Sequence, residues 1–202
     1  RCLTMPRIIL ASQSPRRRQL LGQLGLEDFT ILVPDVDESY DPALSPEEIV
    51  SSICRRKARA ARDMADDGEA VIIAADTMVF LDGLRLGKPH SREEARAMLR
   101  SLSGREHQVC TGVTVCRGDR ADTLCESTAV HFRPLTDREI ESYIDTGEPM
   151  DKAGAYGIQG LGALFVEGIR GDYCNVMGLP LFLLGRMLSD FGVDLLGGGE
   201  EP

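Results

Sequence analysis

Two serines and three arginines follow the first apolar run of the chain, and together they could bind phosphate. The run 8–11 predicts a buried strand, and Ser12, Ser14, Arg16 and Arg17 come directly after it. Ser14 suits the cap of a helix, and the proline that follows suits the first helical position, where an N–H would lack a partner anyway. Free N–H groups, hydroxyls and guanidinium groups would then face one polyanion, most simply phosphate. The alternative is a solvated helix start, where arginines interact slightly unfavourably with the helix dipole.

A single carboxylate, Asp76, ends a second apolar run, 70–75. A side chain at the end of a buried strand is held rigidly at the rim of the sheet, where open α/β sheets bind ligands. An aspartate after a strand is more often a turn former. Residues 77–80 continue as strand, however, which weakens that alternative. Asp76 is therefore a candidate for the chemistry of a bound phosphate.

The loop after the predicted second strand carries further carboxylates at Asp35, Asp37 and Glu38. If they face Asp76, they supply the oxygen ligands that Mg²⁺ or Mn²⁺ prefers, and phosphate oxygens would complete the shell. For each residue taken singly, a solvated acidic loop is the alternative.

Two lysines and one glutamine could complete a nucleotide site. Lys88 lies between a glycine and a proline that restrict the backbone, and an ammonium held there is a point charge for phosphate. Lys57, on a predicted long helix, could add a second charge. For both, an ordinary solvated lysine is the alternative. Gln159 lies in the glycine-rich loop 147–160 and offers a donor and an acceptor, as reading the edge of a nucleobase requires.

Helical and strand patterns alternate along the chain and would position these residues. Three capping boxes predict helix starts, at Ser45–Glu48, Ser91–Glu94 and Thr136–Glu139. Asp82–Gly83 predicts a hairpin and 163–166 a strand. The last helix is predicted over 176–191, with its regular part delayed by Gly178 and Pro180. We expect an α/β domain over 5–192, built on a mixed twisted sheet with flanking helices, and a disordered tail over 193–202.

The composition disfavours several classes of protein. The 202 residues carry a net charge of −9, and proteins that bind a nucleic-acid polymer usually present a basic face. No apolar run is long enough to span a bilayer, so no membrane partner is expected. The six cysteines are scattered without a C-x-x-C pair, which fits neither a zinc site nor a disulfide scaffold. We therefore predict a reducing, cytoplasmic location.

Five motifs occur in one order along the chain: Ala11–Arg17, Ala75–Thr77, Gly87–Pro89, Ser103–His107 with Thr111–Gly112, and Glu148–Gly160. Together they resemble the Maf family of nucleotide pyrophosphatases. The resemblance implies a two-lobed fold with a central cleft, similar to inosine triphosphate pyrophosphatases. It also implies hydrolysis of a nucleoside triphosphate to the monophosphate and pyrophosphate with a divalent metal, Mg²⁺ or Mn²⁺. The loop 151–160 resembles the branch that acts on dTTP and UTP, and family members are often homodimers.

The resemblance also implies a role for each matching position. The residue that matches the family's proton acceptor is Asp76. The positions assigned to substrate selectivity are Arg16, Thr77 and Gln159. Basic positions near the phosphates are Arg17, Lys57 and Lys88, with Ser12 and Ser14 in the same loop as the arginines. The acidic metal-binding position beside Asp76 is Asp37, and adding Glu38 to the metal ligands is our own inference from the loop.

Two alternatives to dTTP and UTP hydrolysis stay open at this point. The family was once described as inhibitors of septum formation, so a non-catalytic nucleotide-binding regulator of cell division is one. A complete set of acidic and basic groups argues against pure binding. The other alternative is the same chemistry on CTP or on modified pyrimidine triphosphates. A pocket that accepts both dTTP and UTP already tolerates a methyl group at the 5-position.

Overall fold

Seven strands of the described residues form one mixed sheet. The computed structural model describes residues 5–197. The strands are β1 (Ile8–Leu10), β2 (Phe29–Ile31), β3 (Val71–Leu81), β4 (Leu84–Leu86), β5 (Glu106–Arg117), β6 (Arg120–Phe132) and β7 (Val166–Arg170). Their order is β2-β1-β3-β5-β6-β7, and β4 pairs with β3. β1 runs parallel to β2 and β3, whereas β3–β4 and β6–β7 are antiparallel. The predicted mixed sheet is confirmed.

Helices occupy most of the connections between the strands. They are α1 (Pro15–Gln23), α2 (Pro46–Met64), α3 (Arg92–Leu102), α4 (Asp137–Asp145), α5 (Tyr173–Met177) and α6 (Leu181–Asp190). Short 3₁₀ helices occur at Glu148–Asp151, Ala153–Ala155 and Leu161–Leu164. Among the described residues, no helix combines the length and the apolar character needed to cross a membrane. The predicted tail lies outside the described residues from position 198 onward, and Val193 is buried.

The chain divides into two compact units, and three strands contribute residues to both. The first unit comprises the described residues up to Asp76, Thr111–Glu126, and those from Gly178 onward. The second unit comprises Thr77–Cys110 and Ser127–Met177. In the first unit, α2 packs on one face of β1 and β3 through small side chains. The buried cluster there contains Ile9, Ala11, Ala58, Ala61, Ala70, Ile72, Ala74 and Cys116.

In the second unit, an aromatic cluster fills the core beside β6. Phe132 is fully buried, and its ring meets the rings of His107, Tyr156 and Phe165 edge-on, with centroids 4.7–5.9 Å apart. Tyr143 of α4 makes a further edge contact with Phe165 at 4.8 Å. This cluster holds α4 and the loop that follows it against the sheet.

Two predicted elements have different bounds in the structure. The strand predicted over 163–166 is wrong: a 3₁₀ helix occupies Leu161–Leu164 and the strand begins at Val166. The amides of Leu161 and Gly162 donate to the Glu148 side chain, so they are not available to a strand ladder. The helix predicted over 176–191 is two helices, because Gly178 has φ +119° and the following proline cannot continue a helix.

The three predicted capping boxes are not equivalent. Ser45 and Thr136 make both reciprocal bonds. Ser91 accepts from the Glu94 amide, but the Glu94 carboxylate accepts from the amide of His90, one residue before the cap. In the Ser91–Glu94 box, the glutamate therefore binds the amide one residue before the expected one.

Candidate active site

The packing of α2 on β3 explains why Asp76 meets Lys57. Alternate residues of a strand share a face, so Asp76 lies on the same face of β3 as Ile72 and Ala74. Those two residues belong to the cluster that also buries Ala58, the residue after Lys57. Small side chains let the helix approach the strand closely. Lys57 therefore reaches Asp76 in the middle of β3.

The Lys57 ammonium lies between two carboxylates. Its Nζ is 2.7 Å from Asp76 Oδ1 and 2.8 Å from Glu38 Oε1. The exposed fractions are 10% for the Asp76 side chain, 16% for Lys57 and 52% for Glu38. The second Asp76 oxygen, Oδ2, is buried and has no hydrogen-bond partner among the described residues. A buried carboxylate oxygen without a donor is costly, so Asp76 is suited to accept a proton donor or a cation.

Arg17 brings a second positive charge to this carboxylate. Its Nε donates to the Gly178 carbonyl at 2.8 Å, and its Nη1 donates to Ser12 Oγ at 3.3 Å. Burial lowers the pKa of Arg17, and the charge of Asp76 partly offsets that effect.

Asp76 does not end its strand, as the sequence suggested, but lies in the middle of β3, which continues to Leu81. Ser12 comes two residues after the end of β1, and because Leu10 pairs with Ile73 and the Ala11 amide donates to the Ile73 carbonyl, β1 ends shortly before the level of Asp76. The region where β1 ends and β3 continues thus carries a hydroxyl, a guanidinium and a carboxylate.

The start of α1 has the predicted form. Ser14 caps the helix, its side chain accepting from the Arg17 amide, and its own amide donates to Ser12 Oγ at 3.2 Å. Pro15 is the first helical residue, as predicted. Arg16 is half-buried beside Arg17. The two serines and the two arginines therefore lie together in the first unit.

Asp37 has a different environment from Glu38. Both of its carboxylate oxygens accept from Ser39, from the amide at 2.8 Å and the hydroxyl at 2.6 Å. These bonds lower the pKa of Asp37. Arg56 of α2 donates to the carbonyls of Asp37 and Ser39, so this arginine holds the acidic loop in place. Of the predicted metal ligands, Glu38 and Asp76 share a partner, and Asp37 is bound within its own loop.

The second unit contains the remaining predicted residues. Thr77 follows Asp76 on β3 and is half-buried, and Lys88 is exposed between β4 and α3. The Gly87 carbonyl before Lys88 accepts from the Gly154 amide at 3.1 Å. Gln159 is exposed in a turn that the Gly160 amide closes on the Gly157 carbonyl at 3.3 Å.

The carboxylates of the first unit fit a divalent cation of the magnesium type. No group of three or more acidic, histidine or cysteine side chains that could hold a metal occurs in residues 5–197. Mg²⁺ is commonly held by one or two carboxylates together with water and substrate phosphates. Asp76, with its unpartnered buried oxygen, and Glu38 provide two such carboxylates.

One cavity of the second unit is lined by residues other than the predicted site residues. It has a volume of about 270 Å³ and is lined by residues that include Arg133, Tyr143, Leu161 and Phe165. None of the predicted site residues is among its lining residues. The groups that could bind a nucleotide are therefore not enclosed in this cavity.

Comparison with known proteins decides the family. The sequence model described as Maf-like protein matches residues 7–191. The chain belongs to the Maf family. A Bacillus velezensis relative named dTTP/UTP pyrophosphatase is 51% identical over 93% of this chain and 97% of its own. A Symbiobacterium thermophilum relative of the same name is also 51% identical, over 96% of this chain and 99% of its own.

A solved structure, the Ham1 protein of Staphylococcus aureus, matches this Maf protein with a TM-score of 0.42. The identity is 16%, over 62% of this chain and 71% of that chain.

Sequence reasoning about this Maf protein missed two groups. Arg56 precedes Lys57 on the predicted long helix and had no assigned role, yet it binds two carbonyls of the acidic loop. Glu148 was noticed only as part of a motif, yet its carboxylate binds several groups of the glycine-rich loop. The sequence signal available was an acidic residue at the border of a glycine-rich loop. That signal does not identify the partners of Glu148, which lie five to fourteen positions further along or back in the chain.

Proposed function

We propose that this protein hydrolyses dTTP and UTP to the nucleoside monophosphate and pyrophosphate. In this reaction water adds to the α-phosphorus, the bond from that phosphorus to the bridging oxygen breaks, and pyrophosphate leaves. Two relatives of about half-identical sequence over nearly the whole chain are named dTTP/UTP pyrophosphatase. The structural observation that carries the proposal is that Asp76 pairs with Lys57 and is near the charge of Arg17, where β1 ends and β3 continues.

The first unit supplies the phosphate-binding groups. A triphosphate carries several negative charges, and this acidic chain must offset them locally. Arg16, Arg17 and the Ser12 hydroxyl would bind the phosphate chain at the start of α1. Lys57 lies between two carboxylates, and its ammonium would also donate a hydrogen bond to a phosphate oxygen. Lys88 is proposed as a further phosphate contact from the family resemblance.

Asp76 is proposed as the group that orients water and accepts its proton. Its Oδ2 has no partner among residues 5–197, so the oxygen can accept a hydrogen bond from a water molecule without breaking one. Lys57 fixes the other oxygen and with it the orientation of the carboxylate. General base catalysis of this kind contributes about 10²–10⁴-fold.

We further propose that Asp76, Glu38 and Asp37 hold a divalent cation, Mg²⁺ or Mn²⁺, when substrate binds. When bound there, such an ion would supply positive charge near the leaving pyrophosphate and would make water a better nucleophile. Asp37 would join only by giving up a bond to Ser39, since both of its oxygens accept from that residue.

Base selectivity is proposed for Thr77 and Gln159. The Gln159 amide carries both a donor and an acceptor, which matches the O4 and N3–H of uracil and thymine. Cytosine reverses that pattern and would leave polar groups unpaired.

Location and assembly follow as smaller proposals. We infer a cytoplasmic location, since Cys54 and Cys116 are buried as thiols and the described cysteines form no disulfide. A homodimer stays a prediction.

A substrate panel tests the activity. Purified protein with Mg²⁺ is incubated with dTTP, UTP, CTP, dCTP, GTP, 7-methyl-GTP and ATP, and the monophosphate and pyrophosphate are measured. We expect turnover of dTTP and UTP that excess chelator abolishes, and little turnover of purines. Turnover confined to another base would overturn the assigned selectivity. Tight nucleotide binding without turnover under Mg²⁺ or Mn²⁺ would favour a non-catalytic regulator.

A further inference from the structure

The Glu148 carboxylate accepts hydrogen bonds from the backbone that directly follows the turn carrying Gln159. Its Oε2 accepts from the Leu161 amide at 3.0 Å, and its Oε1 accepts from the Gly162 amide at 3.1 Å. Tyr143 Oη donates to the same Oε1 at 2.8 Å. One side chain thus holds the two amides that follow residues 157–160.

Tyr143 extends this network to Gly157, at the start of the turn. Its hydroxyl accepts from the Gly157 amide at 3.1 Å while it donates to Glu148. The tyrosine is buried and its ring packs on Phe165, so the hydroxyl has a fixed position. Gly157 and Gly162 flank Gln159 on either side. The pair of Glu148 and Tyr143, here called the Glu148 clamp, therefore holds both ends of the segment that carries Gln159.

The glycines of the segment show how closely the clamp fits. A Cβ added at Gly160 would lie 2.4 Å from Glu148 Oε2, and one at Gly162 would lie 2.9 Å from Tyr143 Oη. The backbone thus passes close to the carboxylate and the hydroxyl, so a side chain at position 160 would displace the Glu148 carboxylate. Lys152 adds to the same arrangement by donating to the Glu148 carbonyl at 2.8 Å.

The three hydrogen-bond donors favour the ionised form of the Glu148 carboxylate. Burial acts to raise its pKa, but the bonds from Tyr143, Gly162 and Leu161 outweigh burial and lower it. Hydrogen bonds to an ionised acceptor are stronger than those between neutral groups. The carboxylate is thus a strong anchor for a segment that has little other regular structure.

We propose that Glu148 is a positioning residue for base selectivity: it fixes the turn at 157–160 and so presents the Gln159 amide in one orientation. The inference rests on the proposed function. Selectivity between uracil and cytosine depends on which way a donor and an acceptor point, so it requires a turn that does not rotate. Glu148 acts through Gln159 and touches no reacting atom.

Three variants test the role. Glu148→Gln keeps the size but places an NH₂ opposite amide donors, and Tyr143→Phe removes only the hydroxyl. Glu141→Gln is the matched control, because Glu141 of α4 pairs with Arg92 and Arg96 and contacts none of the loop amides. kcat and KM are measured for UTP and CTP, and thermal unfolding is followed for each protein.

We expect Glu148→Gln to lower the preference for UTP over CTP about tenfold, chiefly through a higher KM for UTP. Tyr143→Phe should move the preference in the same direction, and Glu141→Gln should leave it unchanged. If Glu148 acts through Gln159, the double variant with Gln159→Ala should show no further loss of preference than Gln159→Ala alone. A general loss of stability would instead reduce the amount of active enzyme and leave the preference intact.

The outcomes separate the two proposals. Absence of UTP hydrolysis by the unaltered protein would contradict the proposed function. Hydrolysis with the expected preference, retained within about twofold in both Glu148→Gln and Tyr143→Phe, would overturn the positioning role alone. Losses of preference that add in the double variant would also overturn it, because they would show that Glu148 acts independently of Gln159.

Discussion

Lys57 is the residue on which the electrostatics of the candidate site depend. Asp76 is almost fully buried and Glu38 is half-exposed, and both contact the same ammonium. Without that ammonium, two neighbouring carboxylates in a partly buried environment would lose the positive charge that offsets them. The sequence placed Lys57 among candidate phosphate ligands but gave no signal of these ion pairs, because Lys57 and Asp76 are 19 positions apart.

Replacing Lys57 should therefore affect both stability and turnover. Lys57→Met keeps the length of the side chain but leaves Asp76 without its ion-pair partner, so we expect a loss of about 1–3 kcal/mol in the free energy of unfolding. Urea denaturation measures this loss, and kcat/KM for UTP should fall as well. Arg59→Met, on an exposed position of the same helix, is the control. Equal stability and activity for the Lys57 variant and the control would contradict the assigned role.

His107 gives the protein a pH-dependent stability. Its Nε2 pairs with the Tyr156 hydroxyl at 2.7 Å, and burial, with a smaller effect from the charge of His131, lowers its pKa from 6.5 to about 4. Above pH 6.5 both the folded and the unfolded states are neutral at this residue. Between pH 6.5 and about 4 only the unfolded chain takes up the proton, so stability falls as the pH falls. The whole loss is about 3 kcal/mol.

Comparison of histidine variants isolates this effect. The free energy of unfolding is measured from pH 7.5 to pH 4.5 for the unaltered protein and for His107→Gln, which lacks the titrating ring. We expect a shallower decline for His107→Gln, and no change in slope for His90→Gln, which alters an exposed ring. A His107 ring that titrates near pH 6.5 in a nuclear magnetic resonance experiment would contradict the prediction.

At the scale of elements, β5 approaches α2 more closely than a side chain allows. A Cβ on Gly112 would lie 2.7 Å from both the carbonyl carbon and the oxygen of Val50. Both are backbone atoms, so no rotamer change could relieve the contact. The sequence contained this glycine within a family motif, but only the packing of the two elements shows why it is small.

Gly112→Ala should push α2 away from β5 and carry Lys57 with it. We expect a loss of about 1–3 kcal/mol in stability from overpacking, together with reduced turnover of UTP. Gly185→Ala is the matched control: it lies in α6 with open space at its Cβ, and it should be neutral or stabilising by up to about 1 kcal/mol. Chemical denaturation measures the free energy of unfolding of both variants. Equal changes in that free energy would contradict the close approach of β5 to α2.

Elements whose bounds depend on neighbouring residues were predictable from the sequence. Elements whose bounds depend on hydrogen bonds to residues distant in the chain were not. Ser45 and Thr136 start helices as predicted, because a capping box is contained in four consecutive residues. The strand expected over 163–166 is displaced because Glu148, more than ten residues away, binds two of the amides beside it. The same distance in sequence hid the Glu148 clamp.

At the scale of the whole molecule, the sequence predicted the mixed sheet but not the boundaries of the two units. No linker separates them in the sequence, since β3, β5 and β6 each contribute residues to both. The division falls directly after Asp76. The net charge of −9 describes the whole chain and does not reveal the local group of positive charges in the first unit, formed by Arg16, Arg17 and Lys57.

The most direct test of the central claim follows the bond that is cleaved. UTP is hydrolysed in ¹⁸O-labelled water by the unaltered protein and by Asp76→Asn, and the products are analysed by mass spectrometry. We expect UMP and pyrophosphate in equal amounts with the label in UMP, and a rate lower by about 10²–10⁴-fold for a stably folded Asp76→Asn. Release of UDP and inorganic phosphate, label in pyrophosphate, or near-normal turnover by Asp76→Asn would contradict the account.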